Sequence, residues 1–395
     1  MNIRLAAKSV ALWLALPLCG VTGCRTQPRP PLCEYVQAPS LPEARDVWVG
    51  VNYYAGWWPS TPGMLNKWHY YDNDRNWLED FPERTPLLGL YNDQQTMDRE
   101  IIAASQHGVD FFMMLWYPWS GTMETNRYQS PKLNDALTYF MNSPEAYRMR
   151  FCIEVCNHPP FVISTLDFWK ECAEVWIEAM KHPCYLRIGG RPVIKIHAAG
   201  QLWEESGSTV DGVRERIQYL RRRADEAGLG ELVICGGAPG PMVWDNHWVK
   251  EVFDFTGDYM DIPTFFPKHL QTPYPYDWLS YFLIQLRGGH QFDEIPYMPV
   301  IAAGWDPTPW KYPVETRPPY KLPTKQEWIR ELRRVAEDLH TRPQMGIPLP
   351  DGSRQKAFTI YAWNEFGEGG YVAPTTGTGW MYLEGISEVF GVKKR

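Results

Sequence analysis

Near its C-terminal end the sequence runs YAWNEFGEGGYVAP, Tyr361 to Pro374, which places two carboxylates, Glu365 and Glu368, three residues apart. In a turn or helical conformation that spacing lets both side chains face one cavity. Two carboxylates in one partly dry site cannot both ionise freely, so one pKa rises. The protonated member can donate to a departing oxygen while the other acts as base or nucleophile, which is the equipment for breaking a glycosidic bond. A lone Glu-x-x-Glu on a loop is usually just solvated. The aromatic neighbours and the position at the end of a strand-like run set this one apart.

The elements that must position the pair can be read from the apolar pattern. Eight segments read as strands: Val47 to Tyr54, Val109 to Trp116, Arg150 to Val155, Pro192 to His197, Leu232 to Gly236, Tyr259 to Ile262, Met298 to Ala302 and Ala357 to Trp363. The second, VDFFMMLW, is apolar throughout, as expected of a strand buried on both faces. Helical periodicity falls between them: Met97, Ile101 and Ala104; Phe168, Cys172, Val175 and Ala179; Val210, Val213, Ile217, Leu220 and Ala224; Trp328, Leu332, Val335 and Leu339. Gly228 is placed to end its helix. Strands alternating with helices over about 350 residues predict a (β/α)8 TIM barrel, a single α/β domain over residues 46–395. A doubly wound sheet is the alternative, but no Gly-x-Gly-x-x-Gly follows the first strand and no Walker loop is present.

A barrel gathers its chemistry at the carboxyl ends of its strands. Those ends carry Tyr53, Tyr54 and Trp57 after the first strand, Trp116 after the second, and Glu154, Asn157 and His158 at the third. His197 ends the fourth, Asp261 lies near the end of the sixth, and Trp305 and Asp306 follow the seventh. Asn364, Glu365, Glu368 and Tyr371 follow the eighth. These are the candidate substrate-binding and catalytic residues. Bland readings stand beside them. Glu154 alternates with Ile153 and Val155 and equally suits a structural partner inside the barrel, His197 equally suits the core, and Asp306 before Pro307 suits a turn. Few Lys or Arg stand at this mouth, which suits a neutral polyol and not a phosphate.

The chain has 395 residues, 46 acidic and 39 basic side chains and a formal charge of −7. With 44% hydrophobic and 22% charged residues it has the balance of a globular protein with a large core, excluding disorder, collagen and a multispan membrane protein. The acidic excess argues against nucleic acid as a partner. The 19 Trp, 22 Tyr and 16 Phe exceed what a core needs, because a buried indole must find an acceptor. Exposed indole faces suit a sugar ring; about half of the tryptophans are expected to be core and no more.

Residues 1–23 read as a leader: Arg4 and Lys8, then a short apolar run from Val10 to Leu18, too short to span a bilayer. Val21-Thr22-Gly23-Cys24 resembles a bacterial lipobox, which makes Cys24 the expected lipidated N-terminus and the membrane a partner through that anchor. Residues 24–45 carry Pro28, Pro30, Pro31, Pro39 and Pro42 and read as an extended tether. The expected location is that of an exported lipoprotein, on the outer membrane at its periplasmic face or the cell surface, since no Asp follows Cys24. Cys172 and Cys184 could pair or remain buried thiols. No Cys-x-x-Cys or His-Glu-x-x-His appears, so neither a metal site nor a cofactor is legible.

The motif WNEFGEGGYVAPT resembles the "NEW-x-EG-x-x-x-x-P" signature of glycoside hydrolase family 99 and the related WbsX-like proteins of polysaccharide loci. VNYYAGWW (Val51 to Trp58), YLRIGGRPVIK (Tyr185 to Lys195) and AGWDPTPW (Ala303 to Trp310) are similar to further segments of that group. The resemblance implies a (β/α)8 fold and a retaining, endo-acting hydrolase of α-mannosides. It implies that Glu365 deprotonates the sugar 2-hydroxyl, giving a 1,2-anhydro sugar. Glu368 then protonates the leaving oxygen and later deprotonates water. Between the glutamates stand Phe366 and Gly367, where the family often has Trp and His. A glycan-binding lipoprotein on a degenerate barrel, or a protein of glycan assembly, would keep the aromatics without needing both glutamates.

Overall fold

A computed structural model of the chain describes residues 45–59, 69–71, 73–120, 129–237, 247–260, 272–290, 294–310 and 317–391. The leader, Cys24, all but the last residue of the tether, and Asp261 lie outside the described residues. Eight parallel staves form the barrel: β1 (Val47–Tyr53), β2 (Phe111–Trp116), β3 (Arg150–Val155), β4 (Arg191–Ile196), β5 (Val233–Gly236), β6 (Phe255–Gly257), β7 in two pieces (Tyr297–Met298 and Val300–Ala302) and β8 (Arg354–Tyr361). Each pairs with the next, and β8 pairs with β1, so the ring of pairings returns on itself.

Helices connect the staves: α1 (Gln94–Gln106), α2 (Asp135–Asn142), α3 (Leu166–Met180), α4 (Ala199–Glu205) with α5 (Val210–Glu226), α6 (Val249–Val252), α7 (Tyr276–His290) and α8 (Lys325–Thr341), with α9 (Met381–Phe390) after β8. The sequence sets their starts. Asp93, Thr165, Thr209 and Thr324 each turn a side-chain oxygen onto the backbone N–H three residues on, which satisfies a donor that the helix itself cannot. Thr324 and Glu327 do so reciprocally. Gly228 follows α5 at φ +75°, a left-handed turn in which glycine has no Cβ to clash.

Stave residues that face outward pack on the helices. Phe112 meets Phe140 of α2 at 6.2 Å between ring centres, and Trp116 meets Trp176 of α3 at 5.5 Å. Trp77, Trp169, Trp176, Trp305, Trp328 and Trp363 are almost wholly buried, so much of the aromatic excess is core. In the outer layer the buried Arg287 of α7 pairs with the buried Glu331 at 3.0 Å and with the partly exposed Asp338 at 2.9 Å on α8.

Two strands differ from the expectation. The sixth lies at Phe255–Gly257, four residues before Tyr259–Ile262; its three residues are too few to show a period, and Tyr259 stands beyond its carboxyl end. The seventh is divided at Pro299, whose nitrogen carries no proton for the ladder. Its first piece pairs with β6 and its second with β8. Cys172 and Cys184 are separate buried thiols, as are Cys152, Cys156 and Cys235.

Candidate active site

The chain leaves β8 into a small hairpin in which Asn364–Glu365 pairs antiparallel with Gly370–Tyr371. The N–H of Glu368 donates to the Glu365 carbonyl at 3.1 Å, so the two glutamates bracket one tight turn. Gly369 closes it at φ +73°, and a Cβ there would stand 2.6 Å from the backbone nitrogen of Asp306. Neighbouring loops hold the hairpin from outside. Asn364 clamps the backbone of Tyr54, accepting from its N–H at 2.8 Å and donating to its carbonyl at 2.7 Å. Trp57 donates to the Asn364 carbonyl at 2.7 Å. Arg84 donates to the carbonyls of Asp306 and Phe366, each at 2.9 Å, and its guanidinium also pairs with the Asp306 carboxylate.

Each glutamate is met by a tyrosine. Tyr259, two residues past β6, donates to Oε1 of Glu365 at 2.7 Å, and Tyr361, the last residue of β8, donates to Oε2 of Glu368. The two tyrosine rings touch edge to face with centres 5.0 Å apart. Glu365 is only 5% exposed, and its Oε2 has no donor among the described residues. Burial pushes its carboxyl up to about 7, with the Tyr259 hydrogen bond opposing the rise. Burial, then Glu365 and Glu368, raise the Tyr54 hydroxyl well above its usual value, so both carboxylates stand within electrostatic reach of that ring.

A cleft of about 530 Å³ opens beside the pair at the carboxyl ends of the staves. Glu368, Tyr361, Trp305, His158, His197 and Tyr259 line it, and Arg317 lies on the Trp305 indole with its guanidinium carbon 4.2 Å from the ring centre. Under the cleft the barrel interior is polar. Glu154 is wholly buried and accepts from Asn52 at 2.7 Å, Lys195 at 2.9 Å and His197 Nδ1 at 2.7 Å. The β1 and β3 side chains meet only across that interior. Burial pulls the Glu154 carboxyl up, but Lys195 and His197 outweigh it and hold it below its ordinary value.

The structure thus brings some of the predicted residues to the cleft and gives others different surroundings. His158, His197, Trp305 and Glu368 line it, and Glu365 contacts it through Tyr259. Tyr53 and Trp116 point outward from their staves, Tyr53 donating to Glu100 of α1 at 2.6 Å. Trp57 and Tyr371 pack around Phe366, at 5.4 and 5.5 Å between ring centres. Asn157 spends its amide on the backbone of Ala198, both contacts at 2.9 Å, and Asn364 does the same for Tyr54. Asp306 caps Thr308 and pairs with Arg84. Gly367 lets the Trp310 indole pack close, since a Cβ there would lie 2.3 Å from Trp310 Nε1.

Sequence reasoning missed Tyr259, Tyr361, Lys195 and Arg317. Lys195 alternates with Ile194 and Ile196 as Glu154 does with its neighbours, a signal that two opposite charges share one interior. Placing the sixth strand too late hid Tyr259, and nothing in the sequence marked Arg317. Among the described residues no group of three or more His, Cys, Asp or Glu is arranged to hold a metal ion.

The fold is a (β/α)8 barrel of the kind glycoside hydrolases use, with a carboxylate pair after its eighth strand. Among solved structures the chain is similar to a protein described as glycoside hydrolase-like, at 15% identity and a TM-score of 0.59, over 90% of this chain and 96% of that one. It is also similar to the GH99 endo-α-mannosidase of Bacteroides thetaiotaomicron, at 14% identity and a TM-score of 0.50, over 84% of this chain and 89% of that one. No family model matches the chain and no curated sequence matches it.

Proposed function

We propose that this chain is a retaining glycoside hydrolase acting within α-linked, mannoside-like glycans, held at a membrane by lipid on Cys24. The observation that carries the reading is the pair of glutamates on one turn, each met by a tyrosine hydroxyl, beside a cleft at the carboxyl mouth of the barrel. Glu365 takes the proton of the sugar 2-hydroxyl, and that oxygen attacks the anomeric carbon. The bond to the leaving oxygen breaks as Glu368 protonates it, leaving a 1,2-anhydro sugar. Glu368 then takes a proton from water, which opens the three-membered ring from the original face, and the 2-oxygen regains its proton from Glu365. A carboxyl poised near 7 suits a base that works near neutrality. The likeness to a GH99 endo-α-mannosidase supports the mannoside assignment.

The test is a screen of the purified chain against α-linked polysaccharides and aryl α-mannosides, with products read by mass and their anomeric configuration by NMR. Hydrolysis with retention is expected. Binding without hydrolysis by the parent chain would leave a glycan-binding module instead, and an inverted first product would remove the anhydro-sugar route. Cys24→Ser should release a soluble, unacylated form; unchanged membrane partition in that variant would remove the anchor.

A further inference from the structure

His197 lines the cleft with one ring nitrogen committed and the other bare. Its Nδ1 lies 2.7 Å from Oε1 of Glu154, and no protein group hydrogen-bonds Nε2 among the described residues. Glu154 is completely buried, and Lys195 Nζ, equally buried, stands 2.9 Å from the same oxygen while also donating to the Asp258 carbonyl at 2.7 Å. An ionised carboxylate only accepts, so the nitrogen facing it must carry the proton. In the Nδ1–H tautomer the lone pair is on Nε2.

We infer that Glu154, kept ionised by Lys195, fixes His197 in the Nδ1–H form so that its bare Nε2 accepts a hydrogen bond from a sugar hydroxyl in the cleft. This rests on the glycan-cleaving reading above. His197 is the residue that touches ligand, and Glu154 and Lys195 are positioning residues acting through it. Glu154, a candidate sugar contact by sequence, lies too deep to meet ligand itself. The titratable groups facing the His197 ring are Glu154 beneath it, His158 with its ring centre 5.4 Å away, and Tyr259 at 5.0 Å, whose hydroxyl holds Glu365. Glu368, Asp258 and Arg317 share the cleft. His158 carries its own contact from Nδ1 to the Pro159 carbonyl at 3.0 Å, and burial lowers its pKa, so it stays neutral near pH 7 and does not compete for Glu154. Tyr259 stands between the His197 ring and Glu365, touching the ring at 5.0 Å and the carboxylate at 2.7 Å, so a hydroxyl of the sugar that Glu365 meets is the partner His197 fits.

The experiment uses 15N-imidazole NMR on the ligand-free chain, with the His197 signals identified by their loss in His197→Asn. A proton on Nδ1 and a bare Nε2 at neutral pH are expected; a protonated Nε2 there overturns the inference. Lys195→Met should raise the Glu154 pKa, so that Glu154 becomes a donor and Nε2 gains the proton near neutrality, reverting as the pH is raised. A folded Lys195→Met with an unchanged spectrum also overturns it. His197→Asn keeps a donor toward Glu154 but has nothing at the Nε2 position. In a Glu365→Gln background it should bind methyl α-mannoside roughly 10- to 100-fold more weakly with its melting temperature nearly unchanged. Equal affinity with and without His197, or ligand binding that leaves the Nε2 signal unmoved, removes the acceptor role. Failure of every α-glycan to bind would count against the glycosidase reading, while the spectrum of the ligand-free chain would still decide the tautomer.

Discussion

Tyr259 donates its hydroxyl proton to Oε1 of Glu365 across 2.7 Å, joining positions 106 residues apart. The contact ties a residue after the sixth strand to the hairpin after the eighth. It also stabilises the charged form of a carboxyl that burial would otherwise keep protonated. Tyr259→Phe should therefore move the Glu365 pKa above its present value of about 7. The acidic limb of the kcat/KM profile should shift to higher pH, and each further pH unit costs about tenfold in the ionised fraction at a fixed acidic pH. A profile superimposable on the parent's would show that Glu365 is not the base.

On the proposed route, Glu365→Gln should lower kcat by 10²-fold or more, and roughly up to 10⁴-fold, on every substrate, because the 2-hydroxyl would then keep its proton. Glu368→Gln should lose as much on poor leaving groups but far less on activated aryl glycosides, whose departure needs little protonation. Both changes keep size and shape, so binding should survive. Equal losses by Glu368→Gln across leaving groups would reassign the acid.

The same glutamate should govern stability. Its folded-state pKa of about 7 lies above its ordinary value of 4.5, so the native chain holds a proton that the unfolded chain has released. Stability from this group is whole below about pH 4.5, falls as the pH rises, and levels off beyond about 7. Glu365→Gln, a permanent stand-in for the protonated form, should gain stability over the parent at pH 8, up to about 3 kcal/mol, and gain little at pH 4. Urea unfolding at the two pH values measures the difference; a gain independent of pH would place the cause elsewhere.

Gly369→Ala should cost about 1–2 kcal/mol for the left-handed backbone alone. It should also displace the Asp306 backbone, since the new Cβ would stand 2.6 Å from its nitrogen. Because that nitrogen donates to the Glu368 carbonyl at 2.6 Å, kcat should fall while distant packing is unaffected. Gly352→Ala, at φ +85° with open space around it, is the control: a similar stability cost with kcat unchanged.

Arg287→Leu should cost about 3–5 kcal/mol in urea unfolding, because it leaves Glu331 buried with its charge unpaired. Lys170→Ala, which breaks only an exposed contact with Asp167, should leave stability nearly unchanged. Similar values for the two would mean that the buried pair is solvated by another route.

The barrel, and the tight turn that carries Glu365 and Glu368, were legible in the local sequence. Long apolar runs such as Phe111–Trp116 declare buried strands because every side chain in them must leave water, and Asp93, Thr165, Thr209 and Thr324 declare helix starts because capping is local chemistry. Glu365 and Glu368 stand out for the same reason: a tight turn is decided over a few neighbouring residues. Short or interrupted strands such as Phe255–Gly257 and the stave divided at Pro299 carry too few residues for a period, so only pairing with their neighbours fixed them. The tertiary structure alone decided which polar residues meet. Strand alternation puts Glu154, Lys195 and Asn52 on interior faces, but only closure of the barrel brings Asn52 across to Glu154. The same closure sends Tyr53 and Trp116 outward to the helices and turns Asn364 and Asp306 into struts, because a residue at a strand end faces ligand or scaffold according to twist and parity, which its type does not encode.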